Sequence, residues 1–282
     1  MRALVIAGLA LCTGVFAGVL LERIGLRVPL PDTSRLRLWV ATLRDTAPED
    51  RPAADMAQLA GKRVMVALVF GQSNAANGGE TAAGPHPGVY AFHRGRLTEA
   101  RDPLPGADGD RGSVWMRLAA LLRAEDGYDA VVLVPFAFST SAIADWQPGG
   151  VLHEPLLRRI DDATARGLRF THLLWHQGEA DARAGTDEAT YRAGFLALLA
   201  AIRGRGIDAP VYVPLATRCG RTQGNDAVRA AQAALPDRAQ RILPGPDTDT
   251  IGRADRHDGC HFADSGLATA ARLWQEALRK GQ

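Results

Sequence analysis

Short apolar runs alternate with amphipathic patterns over most of the chain. Val64-Met65-Val66-Ala67-Leu68-Val69-Phe70 is an unbroken apolar run rich in β-branched residues, ending in a Gly- and Asn-rich loop. It predicts a strand buried on both faces. Ala130–Phe136 is a second such run, His172–His176 a third and Val211–Ala216 a fourth, with a short one near Arg241–Leu243. Between them, apolar positions recur at helical spacing. Leu118, Leu121 and Leu122 share one face of Val114–Ala124, and the same reasoning predicts helices over Pro155–Ala165, Glu188–Arg203, Asn225–Ala234 and Asp264–Leu278. Strands alternating with helices of this length imply a parallel sheet covered on both faces, with ligands binding outside the carboxyl ends of its strands.

The N-terminal fifth reads differently. Ala3–Leu21 is uncharged and mostly apolar behind Met1-Arg2, and as a helix it would span roughly 28 Å, close to a bilayer core. This predicts a signal anchor, or a cleaved signal peptide ending at Val15-Phe16-Ala17, within residues 1–24. Cys12 lies inside the apolar run. Residues 25–61 carry Pro29, Pro31, Pro48 and Pro52 among many charges and predict a linker or stalk with one helix around Arg35–Arg44. Residues 62–282 are then one domain without internal repeats.

Composition narrows the function. The 282 residues are 46% hydrophobic and 23% charged, as in a globular protein. With 33 basic against 31 acidic residues, no single-sign field exists to hold a phosphate backbone, so nucleic-acid binding is not expected. Cys12, Cys219 and Cys260 are too scattered for a zinc knuckle, and no metal or cofactor is expected.

The unusual residues gather at strand ends. The first strand runs into Gly71-Gln72-Ser73-Asn74, a turn that presents a serine hydroxyl at the sheet edge. Read alone, the tetrad is also an ordinary turn. Far away, Asp258-Gly259-Cys260-His261 places a carboxylate and an imidazole on one side of a turn, so Asp258 can hold Nδ1–H and leave Nε2 free to accept a proton. Together they supply nucleophile, orienting acid and base. Trp175-His176-Gln177-Gly178-Glu179-Ala180-Asp181 ends the third strand, where the Gln177 amide could donate to an oxyanion, and Gly112-Ser113 offers a backbone N–H at a helix start. Ser113 is equally a helix N-cap, His176 a core histidine, and Glu179 and Asp181 loop braces. His257 reads as a surface or rim residue.

At this point the residues resemble a known family. Gly71-Gln72-Ser73-Asn74, Gly112-Ser113, Trp175-His176-Gln177-Gly178-Glu179 and Asp258-x-x-His261 are similar, in order and spacing, to the successive blocks of the SGNH hydrolases, in the branch of sialate O-acetylesterases and acetylxylan esterases. Ala100-Arg101-Asp102-Pro103-Leu104 and Ser139–Trp146 resemble further stretches of that branch. The resemblance implies a flavodoxin-like three-layer α/β/α sandwich with a central parallel sheet, and a serine esterase that removes O-acetyl groups from carbohydrate without a cofactor. Carried over, Ser73 is the nucleophile, His261 the base and Asp258 its partner. The Ser73 N–H, the Gly112 N–H and the Gln177 side chain form the oxyanion hole, with Gly109 competing for the place of Gly112. Gln72, Asn74 and Trp146 are expected to touch substrate. An O-acetyltransferase using the same triad, or an idle polysaccharide-binding module, are the alternatives. An acetylated carbohydrate partner implies a periplasmic or envelope location. There, Cys219 and Cys260 are candidates for a disulfide, both falling on loops at the carboxyl edge of the sheet.

Overall fold

The computed structural model describes residues 33–43, 51–221 and 224–281. The apolar run Ala3–Leu21 lies outside the described residues, and no described helix is long and apolar enough to cross a membrane.

Among the described residues, seven strands form one sheet: β1 (Val64–Gly71), β2 (Val89–His93), β3 (Arg96–Glu99), β4 (Ala130–Ala137), β5 (His172–His176), β6 (Val211–Leu215) and β7 (Ile242–Asp247), in the spatial order β3-β2-β4-β1-β5-β6-β7. The helices are α1 (Thr33–Leu43), α2 (Val114–Glu125), α3 (Ile143–Trp146), α4 (His153–Ala165), α5 (Glu179–Ala184), α6 (Glu188–Arg203), α7 (Asp226–Ala233) and α8 (Asp264–Lys280). β4, β1, β5, β6 and β7 run parallel in the flavodoxin-like order. Since β4 and β5 lie on opposite sides of β1, the strand order reverses at β1, where a ligand crevice is expected.

One expectation needs correction: the sheet is mixed. β2 pairs parallel with β4, but β3 returns antiparallel to β2. The reversal occurs at Arg94-Gly95, both at positive φ (47° and 72°), the conformation that suits a tight hairpin. This hairpin, and the short α5, were not evident in the apolar pattern. Residues 51–59 lie along the same edge. Ala54 N–H donates to Leu97 O at 2.9 Å, and the buried Arg51 donates to Arg101 O at 2.8 Å. Within the stretch read as linker, Leu38 of α1 is also buried.

Period-2 alternation along β1 divides the core into two layers. Val66, Leu68 and Phe70 pack with Trp146, Trp175, Phe195 and Ile160 on one face. Met65, Ala67 and Val69 pack with Trp115, Leu118, Trp274 and Leu278 on the other, between the sheet and the α2 and α8 helices. Both faces are covered, which is why the strands read as continuous apolar runs rather than alternating ones.

Candidate active site

β1 ends against β5, and Gly71 makes that closeness possible. At φ +135° its position leaves no room for a side chain, because a Cβ would lie 2.1 Å from His176 O. The next residue, Gln72, donates its N–H to the same carbonyl at 3.0 Å. The chain then turns through Ser73, whose carbonyl accepts from Ala76 N–H at 3.1 Å, and the turn is pinned by Trp115 Nε1 donating to Ala75 O at 2.6 Å. Ser73 therefore sits at the carboxyl edge of β1, where the strand order reverses.

The loop before α8 approaches from the other side. His261 Nδ1 lies 2.6 Å from Asp258 Oδ2, while Asp258 Oδ1 accepts the N–H groups of Cys260 and His261, each at 2.8 Å. Partial burial opposes ionisation of Asp258, but the His261 N–H, the His261 ring and the Cys260 N–H outweigh it and hold the carboxyl well below the usual carboxylate range. An ionised Asp258 on Nδ1 leaves Nε2 as the proton-accepting nitrogen. Ser73 and His261 meet at Gly78: a Cβ there would lie 2.7 Å from Ser73 O and 2.9 Å from His261 Cδ2. The structure thus brings the ring edge of His261 and the Ser73 turn onto one residue.

Three ties hold the histidine loop in place. Cys219, after β6, is disulfide-bonded to Cys260, with Cα atoms 4.0 Å apart. The buried Arg256 spreads its guanidinium over backbone carbonyls, with Nη2 to Thr248 O at 2.9 Å, Nε to Ile251 O at 3.2 Å and Nη1 to Cys260 O at 2.5 Å. Asn74 Nδ2 donates to Glu179 Oε1 at 2.8 Å and to Cys260 O at 3.4 Å.

The expected oxyanion donors fare differently. Gly112 is corrected: its N–H donates to Gly79 O at 3.1 Å, and Gly79 N–H donates back to Gly112 O at 2.9 Å. A donor already spent on a buried carbonyl has no hydrogen left for an oxyanion. Glycine is needed there for space, since a Cβ would lie 1.8 Å from Thr81 O. Gln177 is corrected as well. Its amide is wholly buried, and Nε2 gives its two hydrogens among Asp181 Oδ2 at 2.5 Å, Ser141 O at 3.1 Å and Gln72 Oε1 at 3.3 Å. It braces three loops. Among the described residues, the N–H groups of Ser73 and Gly109 have no backbone acceptor, and Gly109 stands at φ +85° against the carbonyl of Asn77, four residues after Ser73.

The three expected substrate contacts also belong to the scaffold. Trp146 is fully buried, donates to Ser141 Oγ at 3.0 Å and packs edge-on against Phe70, Phe136 and Trp175, so no sugar can reach its face. Gln72 Oε1 accepts from Ala180 N–H at 3.1 Å and Gly178 N–H at 3.3 Å. Asn74 is the link already described. Ser113 caps α2, its Oγ accepting from Met116 N–H at 3.3 Å. Asp181 accepts from Ile143 N–H and Thr186 Oγ1, each at 2.8 Å. His176 is fully buried against Phe262 and Trp274.

Three polar residues around the site were given no role in the sequence reading. Asn77 donates to Leu104 O at 3.0 Å and accepts from Leu104 N–H at 2.6 Å, fixing the loop that carries Gly109. Asp102 accepts from Ser113 N–H and Ala83 N–H at 3.0 Å and from Ser113 Oγ at 2.7 Å. Asp108 accepts from Ser139 N–H at 2.8 Å and Ser139 Oγ at 2.9 Å; burial pushes its carboxyl up, against the pull of Ser139 and the nearby His261. Only Asp102 carried a signal, its place in the stretch 100–104. The other two read as ordinary loop residues.

Residues 63–279 match the family model described as carbohydrate esterase, sialic acid-specific acetylesterase. The chain belongs to that carbohydrate esterase family. Its members are carboxylic ester hydrolases. A curated relative in Arabidopsis thaliana, described as a "Probable carbohydrate esterase", is 33% identical over 93 residues, which is 30% of this chain and 35% of the relative. The match thus spans about a third of that relative's length. Among solved structures, an Arabidopsis thaliana protein superposes with TM-score 0.64 at 20% identity, covering 78% of this chain and 98% of that one. NanS superposes with TM-score 0.58 at 16% identity, over 78% of this chain and 97% of its own. At these identities the superpositions establish the fold of this carbohydrate esterase family member, and the chemistry rests on its own residues.

Proposed function

We propose that the protein is a serine esterase that removes O-acetyl groups from carbohydrate through an acyl-enzyme on Ser73. The observation that carries this reading is the Asp258–His261 pair, held at 2.6 Å on a loop that meets the Ser73 turn at Gly78. Ser73 Oγ attacks the ester carbonyl while His261 takes its proton, with Asp258 stabilising the resulting imidazolium. The oxyanion is received by the N–H groups of Ser73 and Gly109. His261 returns the proton to the departing sugar hydroxyl, and water, activated by the same histidine, releases acetate. Family membership supports the acetyl ester and the sugar.

The same reading places the domain outside the cytoplasm. A Cys219–Cys260 disulfide is stable in an oxidising compartment, and Ala3–Leu21 has the length and apolarity of an export signal or anchor.

The test is acetate release from a panel of acetylated sugars, compared with Ser73→Ala. The variant should stay folded and lose nearly all turnover, and a serine-reactive phosphonate should label Ser73. Labelling at Ser139 or Ser141 would overturn the assignment. Adding an acceptor sugar separates hydrolysis from acetyl transfer, since a transferase would pass acetyl on rather than release it.

A further inference from the structure

Among the described residues, one group brings three metal-ligating side chains together: His257, Asp258 and His261, whose ligand atoms all lie within 4.8 Å of one another. We propose that this cluster is an inhibitory binding site for a divalent transition-metal ion of the zinc type, with His257 as the ligand that catalysis does not require. The inhibition, though not the binding, rests on the esterase reading above.

The turn is already shaped for chelation. His257 N–H donates to His261 O at 3.0 Å, which closes the loop and brings the two rings into a stack at 5.9 Å with 25° between their planes. The disulfide at Cys260 and the N–H bonds onto Asp258 Oδ1 hold the backbone between them. The three side chains reach solvent, so an ion has an entry path. Tetrahedral zinc takes nitrogen and oxygen ligands at about 2.0–2.2 Å, with neighbouring ligand atoms about 3.4 Å apart. Reaching it means drawing in the wider gaps, none above 4.8 Å, and opening the 2.6 Å Asp258–His261 contact, by side-chain movement on a backbone already pinned.

The donor set also selects the ion. Two imidazoles and one carboxylate suit zinc, copper or nickel, whereas calcium and magnesium demand several oxygens that this turn lacks. Three protein ligands leave a fourth position for water. The ion enters among contacts already made. His257 Nε2 is 3.1 Å from Gly78 O, and His261 Nδ1 is on Asp258. A metal held here occupies the base and its orienting carboxylate together, so turnover stops while the Ser73 turn stays intact.

The experiment is isothermal titration of ZnCl2 into the full chain, with acetate release measured over the same concentrations. One ion should bind per chain, and turnover should fall as the site fills; MgCl2 should do neither. His257→Asn should fold as the parent does and weaken zinc binding and inhibition together by tenfold or more. Ser73→Ala should bind zinc with the parent affinity although it turns nothing over. Equal affinity in the parent and His257→Asn, or no binding by the parent, overturns the site. Zinc binding that depends on His257 but leaves turnover unchanged preserves the site and instead counts against His261 as the base.

Discussion

Asn74 Nδ2 donates to Glu179 Oε1 at 2.8 Å, so the residue after the candidate nucleophile is bonded to the first residue of α5. Glu179 is 1% exposed, and His176 Nε2 stands 3.6 Å from the same oxygen. The same amide nitrogen reaches Cys260 O, which makes Asn74 a strut between the Ser73 turn and the His261 turn.

Glu179→Ala should therefore lower kcat more than KM, and lower stability by about 3 kcal/mol, because it strips a buried network of a charged member. Glu179→Gln keeps an oxygen for Asn74 and should restore most of the turnover. If steady-state kinetics and denaturant unfolding show Gln as poor as Ala, charge rather than the Asn74 bond is what matters.

The oxyanion assignment separates two variants. Gly109→Ala places a Cβ 2.7 Å from Asn77 O at φ +85°, which shifts the donor loop, and kcat should fall about 10²- to 10³-fold, as for loss of one oxyanion donor. Gln177→Ala removes a brace and leaves Asp181 short of a donor in the interior, so its first effect should be on the melting temperature. A Gln177→Ala protein with parental melting and a kcat lowered 10²-fold would return Gln177 to the oxyanion hole.

Pairing of Cys219 with Cys260 closes a loop across a sequence separation of 41 residues, worth about 4 kcal/mol in the chain-entropy picture. Replacing both by serine should cost stability of that order and lower turnover, since the bridge reaches into the Asp258–His261 turn. Thiol titration of the unfolded, unreduced protein should find neither cysteine free, and two free thiols from this pair would refute the bridge.

His172, buried in β5 and stacked on Tyr212 at 6.0 Å, is held neutral: burial first, then the Arg63 charge, lowers its pKa to about 4. The unfolded chain takes up this proton near pH 6.5, so stability present above that value is lost as the pH falls from about 6.5 to about 4. The loss attributable to this residue is of order 3 kcal/mol. His172→Phe, which leaves Thr171 its bonds to Val66, should flatten the decline when unfolding is measured at pH 4.5 and pH 7.5. Parallel declines in parent and variant would assign the acid sensitivity elsewhere.

The apolar runs of β1, β4, β5 and β6 and the helices between them were legible because both faces of these strands are covered and the helices have one buried side. Those are local consequences of burial, and a pattern along the chain records them. The β2–β3 hairpin was not legible, since Val89–Glu99 alternates weakly and turns on Arg94-Gly95, an arginine in a conformation its type seldom adopts. Ser73, Asp258 and His261 stood out because a hydroxyl, a carboxylate and an imidazole follow one another at strand ends in a recognisable order. What their neighbours do depended on where long-range hydrogen bonds end. Whether the Gly112 N–H is free is decided by Gly79, and whether Gln177 faces an oxyanion or Asp181 by the packing of three loops. Trp146 is an aromatic residue in a loop-like stretch of sequence, and only the side chains of Phe70, Phe136 and Trp175 closing around it make it core. The sequence by itself determined which chemical groups are present and which strand ends carry them. The tertiary structure decided which of their donors remain unspent, because a hydrogen bond committed to one buried acceptor is lost to every other.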